Sequence, residues 1–142
     1  MKEQNYKNHT RYVVGYHGIA LLSILALAIG SFFNLSKSSK DNLYSASLIC
    51  LIAGILILVF WYMRVFALRA QDRAIRAEEN FRYFILTGTT FPSNLRMSQI
   101  IALRFASDAE FPALVTRAVA EAMPGRAIKE AIKSWRPDHY RA

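Results

Sequence analysis

From Asn42 to Met63 the chain carries no charged residue for 22 positions, and the charged stretch that follows contains neither proline nor glycine until Gly88. A helix rises about 1.5 Å per residue, so roughly 20 apolar residues cross a hydrocarbon slab about 30 Å thick. With Leu48-Ile49-Cys50-Leu51-Ile52-Ala53-Gly54-Ile55-Leu56-Ile57-Leu58-Val59 at its centre, this stretch reads as a transmembrane helix. It closes on Phe60-Trp61-Tyr62, amphipathic rings suited to the headgroup layer, and then meets Arg64, Arg69, Arg73 and Arg76. Nothing stops the helix at that boundary, so the span and the basic segment are expected to be one continuous helix.

The composition averages two unlike parts. Of the 142 residues 54% are hydrophobic and 20% charged, and the formal net charge is +8. Lys and Arg stand just before the first apolar run and just after the second, where the positive-inside bias places them. Charge is therefore chiefly a topology signal. From Arg64 onward there are 13 basic and 8 acidic residues, an excess that attraction for anionic lipid headgroups accounts for without a nucleic-acid partner. The single Cys50 allows neither an intramolecular disulfide nor a cysteine metal cage.

Residues 1–11 are polar and are expected to stay in the cytosol. Residues 12–34 form the first span, 35–43 a short periplasmic loop, 44–63 the second span and 64–142 a cytosolic helical domain. A cleaved signal peptide competes for the first span, since Ala28-Ile29-Gly30 loosely imitates a cleavage site. The uncharged run outlasts a signal core, however, and Phe32-Phe33 resemble an interfacial anchor. His17, near the cytosolic edge, is expected to snorkel to water. Small residues recur every four positions, Ala26 and Gly30 on the first span and Ala46, Cys50 and Gly54 on the second. That spacing predicts a close-packed helical hairpin, with Cys50 as a packing residue.

Past the boundary, Phe60, Met63, Ala67, Ala70, Ala74, Ala77, Phe81 and Phe84 step by three and four, a heptad seam with alanine in its middle. Alanine leaves room for another backbone, either the same seam on a second copy or the chain's own stripe at Leu114–Ala122 folding back. Asp72 with Arg76 and Glu78 with Arg82 read as i to i+4 pairs on a solvated face. The helix should end at Thr87-Gly88. Three shorter helices are expected next. The first runs from Leu95 or Ser98 to Ala106. The second opens with a Ser107/Glu110 capping box and carries Phe111, Leu114, Val115, Ala118, Val119 and Ala122. The third runs from Pro124-Gly125 until Pro137 stops it. Leu114, Val119, Ile128, Ile132 and Trp135 are the expected core. The fold class is all-α.

Residue types that carry chemistry do not assemble into a motif. Glycines are too scattered for a phosphate-binding loop after a strand. His9 and His139 with Asp138 would make only a crude metal site of no defined geometry. Glu78-Glu79 and Asp108 with Glu110 are explained by salt pairing and capping. Arg96, Arg104, Arg126 and Lys129 lie on helices whose apolar stripes must pack, which disfavours a helix-turn-helix reader. The chain is expected to be no enzyme, with no cofactor, no catalytic residue, no metal and no small-molecule substrate.

Three stretches carry a resemblance: Gln4-Asn5-Tyr6-Lys7-Asn8-His9, then Ala102-Leu103-Arg104-Phe105-Ala106-Ser107-Asp108-Ala109-Glu110, and Trp135-Arg136-Pro137-Asp138. In these the chain resembles an uncharacterised family of small two-span bacterial membrane proteins, sometimes labelled automatically as ABC transporter permeases. The resemblance implies a bacterial inner-membrane setting and a helical fold, and it brings no site residues. Two spans without an intramembrane charge fit a permease poorly. The expectation is a membrane-anchored adaptor or assembly protein whose partners are the lipid bilayer and a second copy or another membrane protein. A transporter accessory subunit and a membrane-tethered nucleic-acid binder are the alternatives. The topology makes a direct prediction: thiol labelling from outside the cell marks Ser39→Cys and spares Ser134→Cys, and the reverse pattern would sink the assignment of both termini to the cytosol.

Overall fold

The computed structural model describes residues 4–6, 8 and 12–138, and among these the chain is all-helical. A π-helical stretch, Val14–Ala20, leads into α1 (Leu21–Ser36), and a 3-10 turn at Lys40–Asn42 leads into α2 (Leu43–Thr87). Three short helices follow, α3 (Met97–Leu103), α4 (Phe111–Ala120) and α5 (Gly125–Ala131). The chain divides into two compact units, Arg11–Ala67 and Met1–Thr10 with Leu68–Ala142. The apolar stretch expected as the second span and the basic segment do lie on one helix, α2.

In the unit Arg11–Ala67, α1 and the first part of α2 form a hairpin. Ser38 Oγ donates to Asn34 O at 2.7 Å and Asn42 N to Ser39 O at 3.1 Å, which occupy carbonyls left open at the turn. Ser31, Ala46 and Ala53 are buried, so small side chains line the contact. Tyr16 adds an aromatic contact, stacking on Phe60 at 4.3 Å and donating its hydroxyl to Phe60 O at 2.6 Å. Away from the turn at residues 34–42 the exposed surface is mostly apolar, including Leu22, Ile29, Leu51, Leu58 and Trp61. Two helices, Val14–Ser36 and Lys40–Thr87, are long and apolar enough to cross a membrane.

The small residues expected in the hairpin contact divide. Ala46 is buried and Cys50 half-buried, whereas Ala26, Gly30 and Gly54 are exposed. A Cβ added at Gly30 or Gly54 would meet nothing within 4 Å, so neither glycine serves close approach. The cause is angular. At about 100° per residue, 46, 50 and 53 share one side of α2 while 54 turns away, and Ser31 with Ala28 faces inward where 26 and 30 do not.

The second unit packs α3, α4 and α5 against the later part of α2. Ile100, Leu103, Phe105, Phe111, Val115, Ala118 and Ile128 are fully buried, joined by Ile75 and Tyr83 from α2. Of the expected core residues, Leu114, Ile128 and Ile132 are buried, while Val119 and Trp135 pack against the core from a half-buried position. α2 stops as its sequence demands: Gly88 adopts φ 73 and donates to Phe84 O at 2.8 Å. Gly125 is a second required glycine, since a Cβ there would lie 3.0 Å from Ser98 O, where α5 crosses α3.

Helix ends depart from the sequence expectation where tertiary partners take the backbone groups. The Ser107/Glu110 capping box does not form. Ser107 N donates instead to Ser134 O at 3.0 Å, and the Glu110 carboxylate accepts from Lys133 N and Ser134 N at 3.1 and 3.0 Å. Those bonds, together with Arg136 N to Phe105 O at 2.7 Å, hold residues 133–136 extended beside residues 105–107. For that reason α5 ends at Ala131, well before Pro137, and α3 ends at Leu103 rather than Ala106.

One polar side chain organises this core. Gln99 is buried; its Oε1 accepts from Arg96 N at 2.9 Å, and its Nε2 donates to Ala118 O and Met123 O at 2.9 and 3.0 Å. It caps the start of α3 and the end of α4 at once. Gln99→Leu has similar volume but strands those three backbone groups, so unfolding in denaturant followed by helical circular dichroism should show a loss of about 2–4 kcal/mol. An unchanged midpoint would mean that water replaces the amide at no cost.

Candidate interaction surface

The rotation of α2 in the second unit is set by charged groups that its sequence alone does not mark as inward-facing. Glu79 is buried on the same side as Ile75 and Tyr83. Arg82, one turn on, pairs with it through Nη1 at 2.9 Å and reaches Asp108 through Nε at 2.7 Å. It also gives Nη2 to Ala106 O at 2.7 Å and lies 4.2 Å over the ring of Phe111. The expected Glu78–Arg82 pair is replaced by Glu79–Arg82, because Arg82 turns toward the core and leaves Glu78 exposed. Arg136 approaches the other Glu79 oxygen at 3.5 Å.

Around this pair the three stretches that carry the family resemblance converge. Gln4 Oε1 accepts from Asp138 N at 2.7 Å, joining the first stretch to the last. Asp138 Oδ2 stands 3.2 Å from Arg104 Nε, and the Phe105 and Trp135 rings are 5.0 Å apart, joining the middle stretch to the last. Arg104 is buried over the Phe105 ring, and its Nη1 has no hydrogen-bond partner among the described residues. Burial pushes its pKa down, opposed by Asp138 and Glu79, but a guanidinium stays charged regardless. The convergence is an architectural node, with ion pairing and stacking as its content. Among the described residues no group of three His, Cys, Asp or Glu side chains could hold a metal ion. Of the crude set considered from sequence, His9 and His139 lie outside the described residues.

With Ile75, Glu79 and Tyr83 turned inward, the alanine seam faces away from the core. Ala70, Ala74, Ala77, Phe81 and Phe84 are all exposed, Phe81 at 64% and Phe84 at 49%, and Ala67 in the other unit is exposed as well. The alternative in which the seam packs on the chain's own Leu114–Ala122 stripe is not the arrangement found. Leu114, Val115 and Ala118 are buried in the core on the opposite side of α2, and Ala122 lies past the end of α4 with φ 49. What remains is a line of small residues ending in two large exposed rings. Heptad spacing revealed the line, but only the packing of Glu79 and Arg82 shows that it stands exposed among the described residues.

Burial pushes the Glu79 carboxyl above its ordinary value, against the lowering influence of Arg82 and Arg136. A raised folded pKa means that this group's stabilising contribution is fully present below the unfolded value and is lost as pH rises through the folded one. Removing Arg82 removes the largest opposing influence, so the charged carboxylate becomes costlier to bury. Arg82→Ala should therefore lower stability by about 3 kcal/mol near neutral pH, with the deficit shrinking as pH falls into the ordinary carboxylate range. Denaturant unfolding at the two pH values checks this, and a deficit that grows on acidification would contradict it.

Comparison with known proteins agrees with the uncharacterised character of the resemblance. No curated protein and no solved structure matches the chain. The family of unknown function DUF6526 matches it over residues 1–142, the whole sequence including all three converging stretches, and the chain belongs to that family.

Proposed function

We propose that the protein is a membrane-anchored assembly protein of the bacterial inner membrane, with both termini in the cytoplasm and the α2 seam as its contact surface. The supporting observation is the exposure of an apolar heptad face on the side of α2 opposite the core. A soluble helix exposing Phe81 and Phe84 beside a row of alanines leaves apolar area in water that association would remove, at about 25 cal/mol per Å². The occupant proposed is the same seam on a second copy. Two copies anchored by the same hairpin leave the membrane on the same side, so their seams meet in parallel, and alanine at successive heptad positions permits close helix approach. The hairpin's largely apolar exterior supports the bilayer as its surroundings. A nucleic-acid reader draws no support from α3 to α5, whose apolar residues are turned into the core.

The test uses full-length protein in native membranes. In a Cys50→Ser background, Ala70→Cys should cross-link two copies on mild oxidation. Because Ala74 is exposed, Ala74→Leu should leave the fold intact while overpacking the interface, weakening association by about 1–3 kcal/mol. Phe81→Ser with Phe84→Ser should weaken it as well. Absence of the cross-link together with unchanged association in Ala74→Leu would overturn the seam as a contact between copies.

A further inference from the structure

A groove of about 660 Å³ runs beside the seam in the second unit, between α2 and residues 90–97. Its lining includes Arg73, Arg76, Asn80, Thr90 and Ser93 with an apolar wall of Phe91 and Met97. The wall is anchored: Phe91 packs its ring against Tyr83 at 5.1 Å, and its N–H donates to Asn80 Oδ1 at 2.7 Å. That bond uses the acceptor of Asn80 and leaves its amide N–H groups as donors. Guanidinium, amide and hydroxyl groups therefore line the groove, with no carboxylate among the described residues that line it.

The arginines sharpen the point. Elsewhere in this unit Arg82, Arg104, Arg117, Arg126 and Arg136 each pair with an acid, and Arg96 donates to Ala122 O at 2.9 Å. Arg73 and Arg76 have no acidic partner among the described residues, and the Asp72–Arg76 pair expected from spacing is not formed. Arg69, Arg73, Arg76 and Asn80 follow one another at four, three and four residues, so the groove continues a basic stripe on α2. Two like charges one turn apart with no acid between them repel, and an anion offering several oxygens would bridge both.

We propose that this groove binds a phosphate-bearing small molecule, with Arg73 and Arg76 holding the phosphate and the Phe91 and Met97 wall taking an apolar remainder. A soluble phosphate ester and a phospholipid headgroup present the same chemistry, and the test separates them. The groove shares Ala77 with the seam, but the inference rests on Arg73 and Arg76 and does not require association through the seam.

Full-length protein in uncharged detergent is titrated calorimetrically with inorganic pyrophosphate and, separately, with monomeric dihexanoyl phosphatidylglycerol. Binding of pyrophosphate identifies the soluble source; binding of the lipid alone identifies the headgroup. In either case Arg73→Ala with Arg76→Ala should weaken binding at least about tenfold, because charge-assisted bonds to the phosphate are lost. Arg117→Ala with Arg126→Ala, which removes as much exposed positive charge elsewhere, should leave it unchanged. Both groove arginines are exposed, so the fold should survive, as circular dichroism checks. Arg73→Lys with Arg76→Lys gives a second reading, an intermediate affinity from charge without the planar fork. Absence of binding by both probes overturns the proposal. So does equal affinity in the Arg73/Arg76 variants, or an equal loss in the Arg117/Arg126 control.

Discussion

Arg82 is the residue on which the helical unit turns. Its guanidinium is satisfied by Glu79, Asp108 and Ala106 O while its face rests on Phe111, so four contacts from three parts of the chain converge on one side chain. Because the group is planar with donors in fixed directions, it specifies the angle of α2 about its own axis more tightly than apolar burial alone would. Ile75 and Tyr83 would tolerate some rotation; a forked cation joined to two acids and a carbonyl tolerates little. From that angle follows the outward direction of the seam and the sideways direction of Arg73 and Arg76.

A similar economy operates where the short helices end. α3, α4 and α5 have 7, 10 and 7 residues, lengths at which an isolated helix is not stable in water. Their termini are satisfied by tertiary groups: Gln99 serves the start of α3 and the end of α4, and Glu110 receives the backbone just after α5. The short helices and their caps thus form together, and the cost of losing a cap is felt by more than one element.

In the hairpin unit the balance is different. Its contact relies on small buried residues and on Tyr16 against Phe60, with almost all large apolar side chains turned outward. Such an exterior suits a solvent as apolar as the side chains themselves, where close packing and occasional hydrogen bonds carry helix association. The Tyr16 hydroxyl bonding to Phe60 O is one such bond.

Much of this was legible in the sequence because it depends on neighbours along the chain. Uncharged length and hydropathy mark the two long helices, Gly88 marks the end of α2, and three-and-four spacing marks the seam and the α4 stripe. Those signals repeat within a few residues and require no knowledge of what lies opposite. Which small residues face across the hairpin, which acid Arg82 chooses, and where α5 stops could not be read in that way. Gly30 and Gly54 share the four-residue spacing of Ala46 and Cys50 but not their orientation, and only the partner helix distinguishes them. Glu110 has capping-box spacing from Ser107, yet Lys133 and Ser134, more than twenty residues on, take its carboxylate. Each of these choices is a competition between a local hydrogen bond or packing face and a distant one of comparable strength, and folding, by bringing the distant group within reach, decides it.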